Sequence, residues 1–301
     1  MMMRIGIIGG GLMGAGIAQV FAAAGHAVTV HEPDAAARGT LVERVRQGLA
    51  QLGDDPTFAE RVTPVEHLAE AVADAGFVTE AAPEKLPLKR AIFAQLVEAA
   101  PADAILASNS SVIPCGAIAE GLPTAHRIVG THWWNPATLV PLVEVIQAPG
   151  TSEETVARTM ELLASVGKRP AHIRKDLPGF VANRLQHALW REAIAMVAEG
   201  ICDAATLDDC VKHSFGLRLP VLGPLENADL VGLDLTLDIH RTIMPELDRH
   251  DRPHEFLEQQ VAEGRLGFKS GEGFRTWSPE AIQAVRARLV RHLLDARSVG
   301  T

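Results

Sequence analysis

The stretch that decides the fold is RIGIIGGGLMGAGIAQVFAAAGHAVTVHE, residues 4–32. It opens on a short apolar run, Arg4–Ile8, and passes into Gly9-Gly10-Gly11-Leu12-Met13-Gly14. A helical pattern with apolar Ile17, Val20 and Phe21 follows, and a second apolar run, Ala27–His31, ends on Glu32. The order is strand, glycine turn, helix, strand, acid. In such a unit the first glycine, Gly9, permits the tight turn, Gly11 lets the backbone approach a pyrophosphate, and Gly14 lets the helix pack close to the strand. The helix start, with Leu12 and Met13 in its first turn, offers free N–H groups and a positive dipole end to phosphates. Glu32 suits hydrogen bonds from a ribose 2′-OH and repels a 2′-phosphate, which predicts NAD rather than NADP. Arg38, six residues on, keeps a 2′-phosphate partner open as the alternative.

Downstream, strands and helices alternate. Strands are expected near Val62, at 76–79, at 104–107 and at 169–173, and helices at 34–52, 66–72, 86–99 and 152–166. Alternation implies a parallel, doubly wound sheet with its ligand beyond the carboxyl ends of the strands. Those ends carry the glycine turn, Glu32, Glu80–Glu84 and Ser108–Ser111. The serine run also suits a helix N-cap before Ile113-Pro114. At Lys175-Asp176-Leu177-Pro178-Gly179 the pattern breaks, and beyond it only helical patterns recur, at 180–199, 204–213, 228–247, 255–263 and 279–296. The chain therefore divides into an α/β Rossmann-type domain, 1–178, and an all-α C-terminal domain, 179–301. Its length allows each its own core. Asn183 lies in the first turns of the second domain, and its poor helix propensity suggests that its side chain is used.

The chemistry concentrates in RIVGTHWWNPATLVPLVE, residues 127–144. In PLVEVI, Leu142, Glu144 and Ile146 share one strand face and Val143 and Val145 the other, so Glu144 is expected among hydrocarbon. A buried carboxylate needs a partner. His132 on the preceding strand is the candidate. A glutamate on one imidazole nitrogen fixes the tautomer and prepares the other nitrogen as a general base.

Composition narrows the function classes. A net charge of −9 argues against nucleic-acid partners and anionic membrane surfaces. No apolar run approaches the roughly 20 residues that span a bilayer. The glycine-rich start does not resemble a signal peptide, so a cytoplasmic protein acting on a small molecule is expected. The three cysteines, Cys115, Cys202 and Cys210, have no zinc-ligand spacing. Between His250 and His254 a proline breaks any shared helical face, so no metal is expected there. Tyrosine is absent, which excludes every mechanism with a tyrosine proton donor.

Taken together, the motifs resemble the 3-hydroxyacyl-CoA dehydrogenase family over essentially the whole chain. The carrying pieces are GGGLMGAGIA (9–18), EAAPEKLPLK (80–89), ASNSS (107–111), GTHWWNP (130–136), PLVEVI (141–146), PGFVANRL (178–185) and GFKSGEGF (267–274). The resemblance implies a catalytic pair at His132 and Glu144, with Ser111 and Asn183 orienting the substrate oxygen. It puts Glu84, Lys89 and Ser111 beside the cofactor or the cleft, NAD in that cofactor site, and a homodimer formed by the helical domain. Two departures stand out. Trp133-Trp134 replaces the usual phenylalanines, and no lysine precedes Lys85, where the acyl-CoA enzymes carry a lysine-rich segment. Both look more like the small-substrate relatives, which act on carnitine, gulonate or a pyridine carboxylate. FKSGEGF, by contrast, looks like the acyl-CoA enzymes. Two rival readings are weaker. A 3-hydroxyisobutyrate or 6-phosphogluconate type of dehydrogenase needs a glycine-rich motif before a catalytic lysine, and KRPAHIRKD (168–176) has none. A crystallin-like structural or NAD-sensing protein would have lost His132 or Glu144.

Overall fold

The computed structural model describes residues 2–299. Its first part is one eight-stranded sheet. The strands are β1 Arg4–Ile8, β2 Ala27–His31, β3 Val62–Val65, β4 Phe77–Glu80, β5 Ile105–Ser108, β6 Ile128–Trp133, β7 Leu142–Ile146 and β8 Arg169–Ile173. Their spatial order is β3-β2-β1-β4-β5-β6-β7-β8. All neighbours pair parallel except β6 and β7. Only eight residues join those two, too few for a crossover, so they must run antiparallel. The register sets His132 directly opposite Glu144.

Helices cover both faces. On one side lie α1 (Leu12–Ala23), α2 (Ala35–Gln51) and, later in the chain, α6 (Glu153–Ser165); on the other lie α3 (Leu68–Val72), α4 (Leu86–Ala99) and α5 (Cys115–Ala119). The strands alternate accordingly. Ile5 and Ile7 pack toward Phe21, Leu41 and Val45, whereas Ile8 packs with Val72, Phe93 and Leu96. Helix starts follow local chemistry. Asp34 caps α2 through the N–H of Ala37 at 2.7 Å, Ser152 caps α6 through Thr155, and proline sits in the first turn of α4. The sequence-predicted elements of this part recur within about two residues, the usual uncertainty of helix and strand ends.

Beyond β8 the chain is helical: α7 Ala182–Ala198, α8 Ala204–Lys212, α9 Pro224–Val231, α10 Leu233–Ile243, α11 Glu255–Ala262 and α12 Pro279–Val299. The single helix expected at 228–247 is two. Gly232 adopts φ +102°, outside the helical region, and ends α9 one residue before α10 starts. The described residues divide into two compact units, 2–183 with 292–299, and Arg184–Arg291. The second differs from expectation in having almost no interior. Between residues 184 and 291, only Ala195 and Gln260 are buried. Apolar residues that a self-contained domain would enclose, among them Leu225, Leu230, Leu233 and Leu237, lie half or more exposed. Among the described residues, no helix is long and apolar enough to cross a membrane.

Candidate active site

The glycine turn is built as its residues require. Gly9 takes φ +99°, and a Cβ on Gly14 would lie 1.8 Å from the Gly9 carbonyl oxygen, so no larger residue fits there. A Cβ on Gly11 would meet nothing within 4 Å, which leaves the face of the turn open. No side chain caps the start of α1, where Leu12 and Met13 lie. Its first N–H groups are therefore available to an anion. Glu32 follows β2, half-buried, its carboxylate accepting from Gly10 N at 2.9 Å and Asp34 N at 3.0 Å. Arg38 does not turn to that carboxylate. It donates to the carbonyls of Glu32 and Pro33 and pairs with Glu66 at 3.0 Å, so its guanidinium is spent. An open turn, an uncapped helix start and an anchored acid fit the diphosphate and ribose of NAD.

His132 and Glu144 meet in the sheet. His132 is 3% and Glu144 1% exposed, and Nδ1 lies 2.7 Å from Oε2. The second carboxylate oxygen accepts from the N–H groups of Val181 and Ala182 at 3.0 and 3.1 Å, at the start of α7. Burial pushes the Glu144 carboxyl upward. Hydrogen bonds from His132, Ala182 and Val181 outweigh it and hold the group below its ordinary value. An ionised carboxylate can only accept, so Nδ1 carries a proton, and in the neutral imidazole the lone pair is on Nε2. No hydrogen bond to Nε2 comes from the described residues. The imidazole packs against Trp134 (centroids 5.2 Å apart) and Phe180 (5.5 Å).

A second chain of contacts runs from α4. Lys89, fully buried, holds both oxygens of equally buried Glu80 at 2.8 and 3.0 Å and pairs with Glu84 at 3.3 Å. Its ammonium is thus occupied inside the fold and reaches the site only through those acids. Glu84 accepts from Ser110 Oγ at 2.6 Å and from the backbone N–H groups of Ser111 and Val112, both at 3.0 Å. Burial raises the Glu84 carboxyl, and these bonds with the Lys89 charge bring it net below the usual range. The pinned loop leaves the Ser111 side chain exposed. The Ser111 carbonyl accepts from Asn183 Nδ2 at 3.1 Å. Of the residues singled out in the sequence, His132 and Glu144 form one group; Lys89, Glu84, Ser111 and Asn183 form a second. The glycine turn and Glu32 form a third.

Sequence reasoning missed several supports. Asn109 Oδ1 accepts from Trp133 N at 3.0 Å and fixes the end of β6. Asp176 accepts from Cys115 N and Gly116 N at the start of α5. Lys168 donates to the carbonyls of Ala137 and Val140 and braces the β6–β7 connection. Arg44 donates to Gly10 O at 2.7 Å, behind the glycine turn. Asn109 lies in ASNSS without being singled out there, Arg44, Lys168 and Asp176 lie outside the motifs that carry the resemblance, and none of these partners is near in sequence. The thiol of Cys115 is buried and pushed up by that burial, so it is inert.

Comparison with known proteins gives the class. Residues 4–177 match the profile of the 3-hydroxyacyl-CoA dehydrogenase NAD binding domain, and residues 179–277 that of the 3-hydroxyacyl-CoA dehydrogenase C-terminal domain. The chain belongs to the 3-hydroxyacyl-CoA dehydrogenase family and is an NAD-dependent oxidoreductase acting on a CH–OH group. An L-carnitine dehydrogenase from Streptomyces griseus is 40% identical over 82% of this chain and 78% of its own. The crystal structure of a 5-formyl-3-hydroxy-2-methylpyridine 4-carboxylic acid 5-dehydrogenase, described as an NAD+ dependent dismutase, superposes with a TM-score of 0.90. It is 32% identical and covers 99% of this chain and 98% of its own. The (S)-3-hydroxybutyryl-CoA dehydrogenase of Ralstonia eutropha, also 32% identical, gives 0.77 over 92% of this chain and all of its own.

Proposed function

We propose that this protein oxidises the hydroxyl of a small 3-hydroxy acid to the 3-keto product, with His132 as general base. The observation that carries the reading is the 2.7 Å contact of His132 Nδ1 with Glu144, which fixes the tautomer so that Nε2 is the nitrogen left to take a proton. NAD, when bound at the glycine turn, supplies the hydride acceptor. His132 Nε2 takes the hydroxyl proton, and Glu144 stabilises the imidazolium that results. Ser111 and Asn183, joined at the edge of the site, orient the substrate oxygen. In the reverse direction protonated His132 returns the proton.

The free acid is favoured over the CoA thioester by likeness of shape. At equal identity, the pyridine-carboxylate enzyme superposes at 0.90 and the acyl-CoA enzyme at 0.77. The paired tryptophans and the missing lysines point the same way. Rates of NADH formation with 3-hydroxybutyrate, gulonate, carnitine and 3-hydroxybutyryl-CoA test this. A thioester rate above every free-acid rate would reverse the assignment. We further propose a homodimer, because residues 184–291 enclose almost nothing and expose leucines on α9 and α10 that a second copy would cover.

A further inference from the structure

We propose that Phe180 is a positioning residue for His132 and Glu144: its backbone turn aims two N–H groups at the carboxylate, and its ring packs on the imidazole and restrains its rotation. The inference rests on the general-base reading above and deepens it.

Phe180 is the one non-glycine residue with positive φ among the described residues, at +49°. A side chain with a Cβ is strained in that conformation. Such residues persist only where the surroundings over-determine them, and they concentrate at functional sites. Here the surroundings are on both sides of the residue. Gly179 before it is also left-handed, at φ +75°, and Phe180 N donates to Leu177 O at 3.0 Å, which closes the turn. After it, the N–H groups of Val181 and Ala182 converge on one oxygen of Glu144. Successive N–H groups after a left-handed residue make an anion-binding concavity, and here the anion is a carboxylate of the chain itself.

The backbone role alone does not call for phenylalanine, since glycine reaches the same φ without strain. What phenylalanine adds is its ring. It is 3% exposed and packs 5.5 Å from the imidazole at 50°, while Trp134 contacts the same imidazole at 54°. A single hydrogen bond at Nδ1 leaves the ring free to rock about that bond. Contact with two large aromatic rings removes this freedom and fixes the direction in which the Nε2 lone pair points. General-base efficiency depends on that direction, because misplacement by about 1 Å costs on the order of 10²-fold.

The test compares Phe180→Ala, Phe180→Gly and Phe180→Leu with His132→Ala, using NAD and the best substrate of the four-compound panel. Both small variants are expected to lower kcat by about 10- to 100-fold. KM for NAD should change less than twofold, because the dinucleotide site lies on other elements. Phe180→Leu, which refills the space, should recover part of the loss. The proton on His132 Nδ1 should give a sharp downfield resonance in the parent and a broadened one in the alanine and glycine variants. Wild-type kcat with a sharp resonance in these variants, beside an inactive His132→Ala, would overturn the role of Phe180 and leave the general base intact. Full turnover by His132→Ala would overturn the general base itself. Should the alanine variant fail to fold, the glycine variant, relieved of strain, gives the loss and the leucine variant its partial rescue.

Discussion

At the scale of single residues, Glu144 shows burial and partnership competing, with partnership the winner. Desolvation alone would protonate it. Three donors, one imidazole and two backbone N–H groups, keep it ionised. Two predictions follow from that state. His132→Ala or Glu144→Gln should lower kcat by about 10²–10⁴-fold with NAD affinity unchanged, as the loss of a general base requires; steady-state kinetics and NAD titration check this. The second concerns pH. A carboxyl whose folded-state pKa lies below its ordinary 4.5 binds fewer protons folded than unfolded. Its stabilisation is complete above that value and is lost as the pH falls through the lowered one. The stability gap between the parent and Glu144→Gln should therefore be widest at neutral pH and close on acidification below about pH 4.5. Urea melts at several pH values measure it, and a constant gap would show that the carboxylate is not ionised in the fold. The sequence pattern already put Glu144 inside and paired it with His132. It held no trace of the Val181 and Ala182 donors, which lie 37 and 38 residues away and act through backbone groups common to every residue.

At the scale of elements, α4 carries a residue whose sequence reading and surroundings diverge in emphasis. Resemblance puts Lys89 beside the cofactor, whereas its ammonium is enclosed by Glu80 and Glu84. Removing one member of a buried pair strands the other charge, at a cost of about 3–5 kcal/mol. Lys89→Met is therefore expected to lower the thermal stability of the cofactor-free protein, read from its melting temperature. An unchanged melt combined with weakened NAD binding would instead make Lys89 a direct cofactor contact. The loop that Glu84 pins, Ser110–Ile113, carries Ser111, so such a loss should also disturb that loop. The β-strands and most helices of the first part were legible because alternation and helical spacing are local properties. The division of α9 from α10 was not. An isolated glycine inside a helical pattern is usually tolerated, and only the observed φ of +102° shows that Gly232 ends one helix before the next begins.

At the scale of the whole molecule, the two parts of the chain meet the hydrophobic effect differently. The sheet encloses a double-sided core, with Phe21 and Leu41 on one face and Phe93 and Leu96 on the other. Residues 184–291 enclose two side chains and leave leucines on α9 and α10 in water. Surface of that kind is stable when another surface covers it. The protein is accordingly expected to sediment at twice 32.2 kDa at micromolar concentration. Leu233→Asp with Leu237→Asp should shift it toward the monomer and lower its stability together; analytical ultracentrifugation decides, and a monomeric parent would end the proposal.

The sequence by itself determined the glycine turn, the acid at the end of β2, the alternation that makes the sheet, and the burial of Glu144. Each depends on sterics or periodicity within a few residues. Tertiary structure alone decided which groups hold Glu144 ionised, where the Lys89 charge goes, that Phe180 takes a left-handed backbone, and that the helical part lacks an interior. Those outcomes depend on groups brought together from distant parts of the chain, and no local pattern encodes which surface will find a partner.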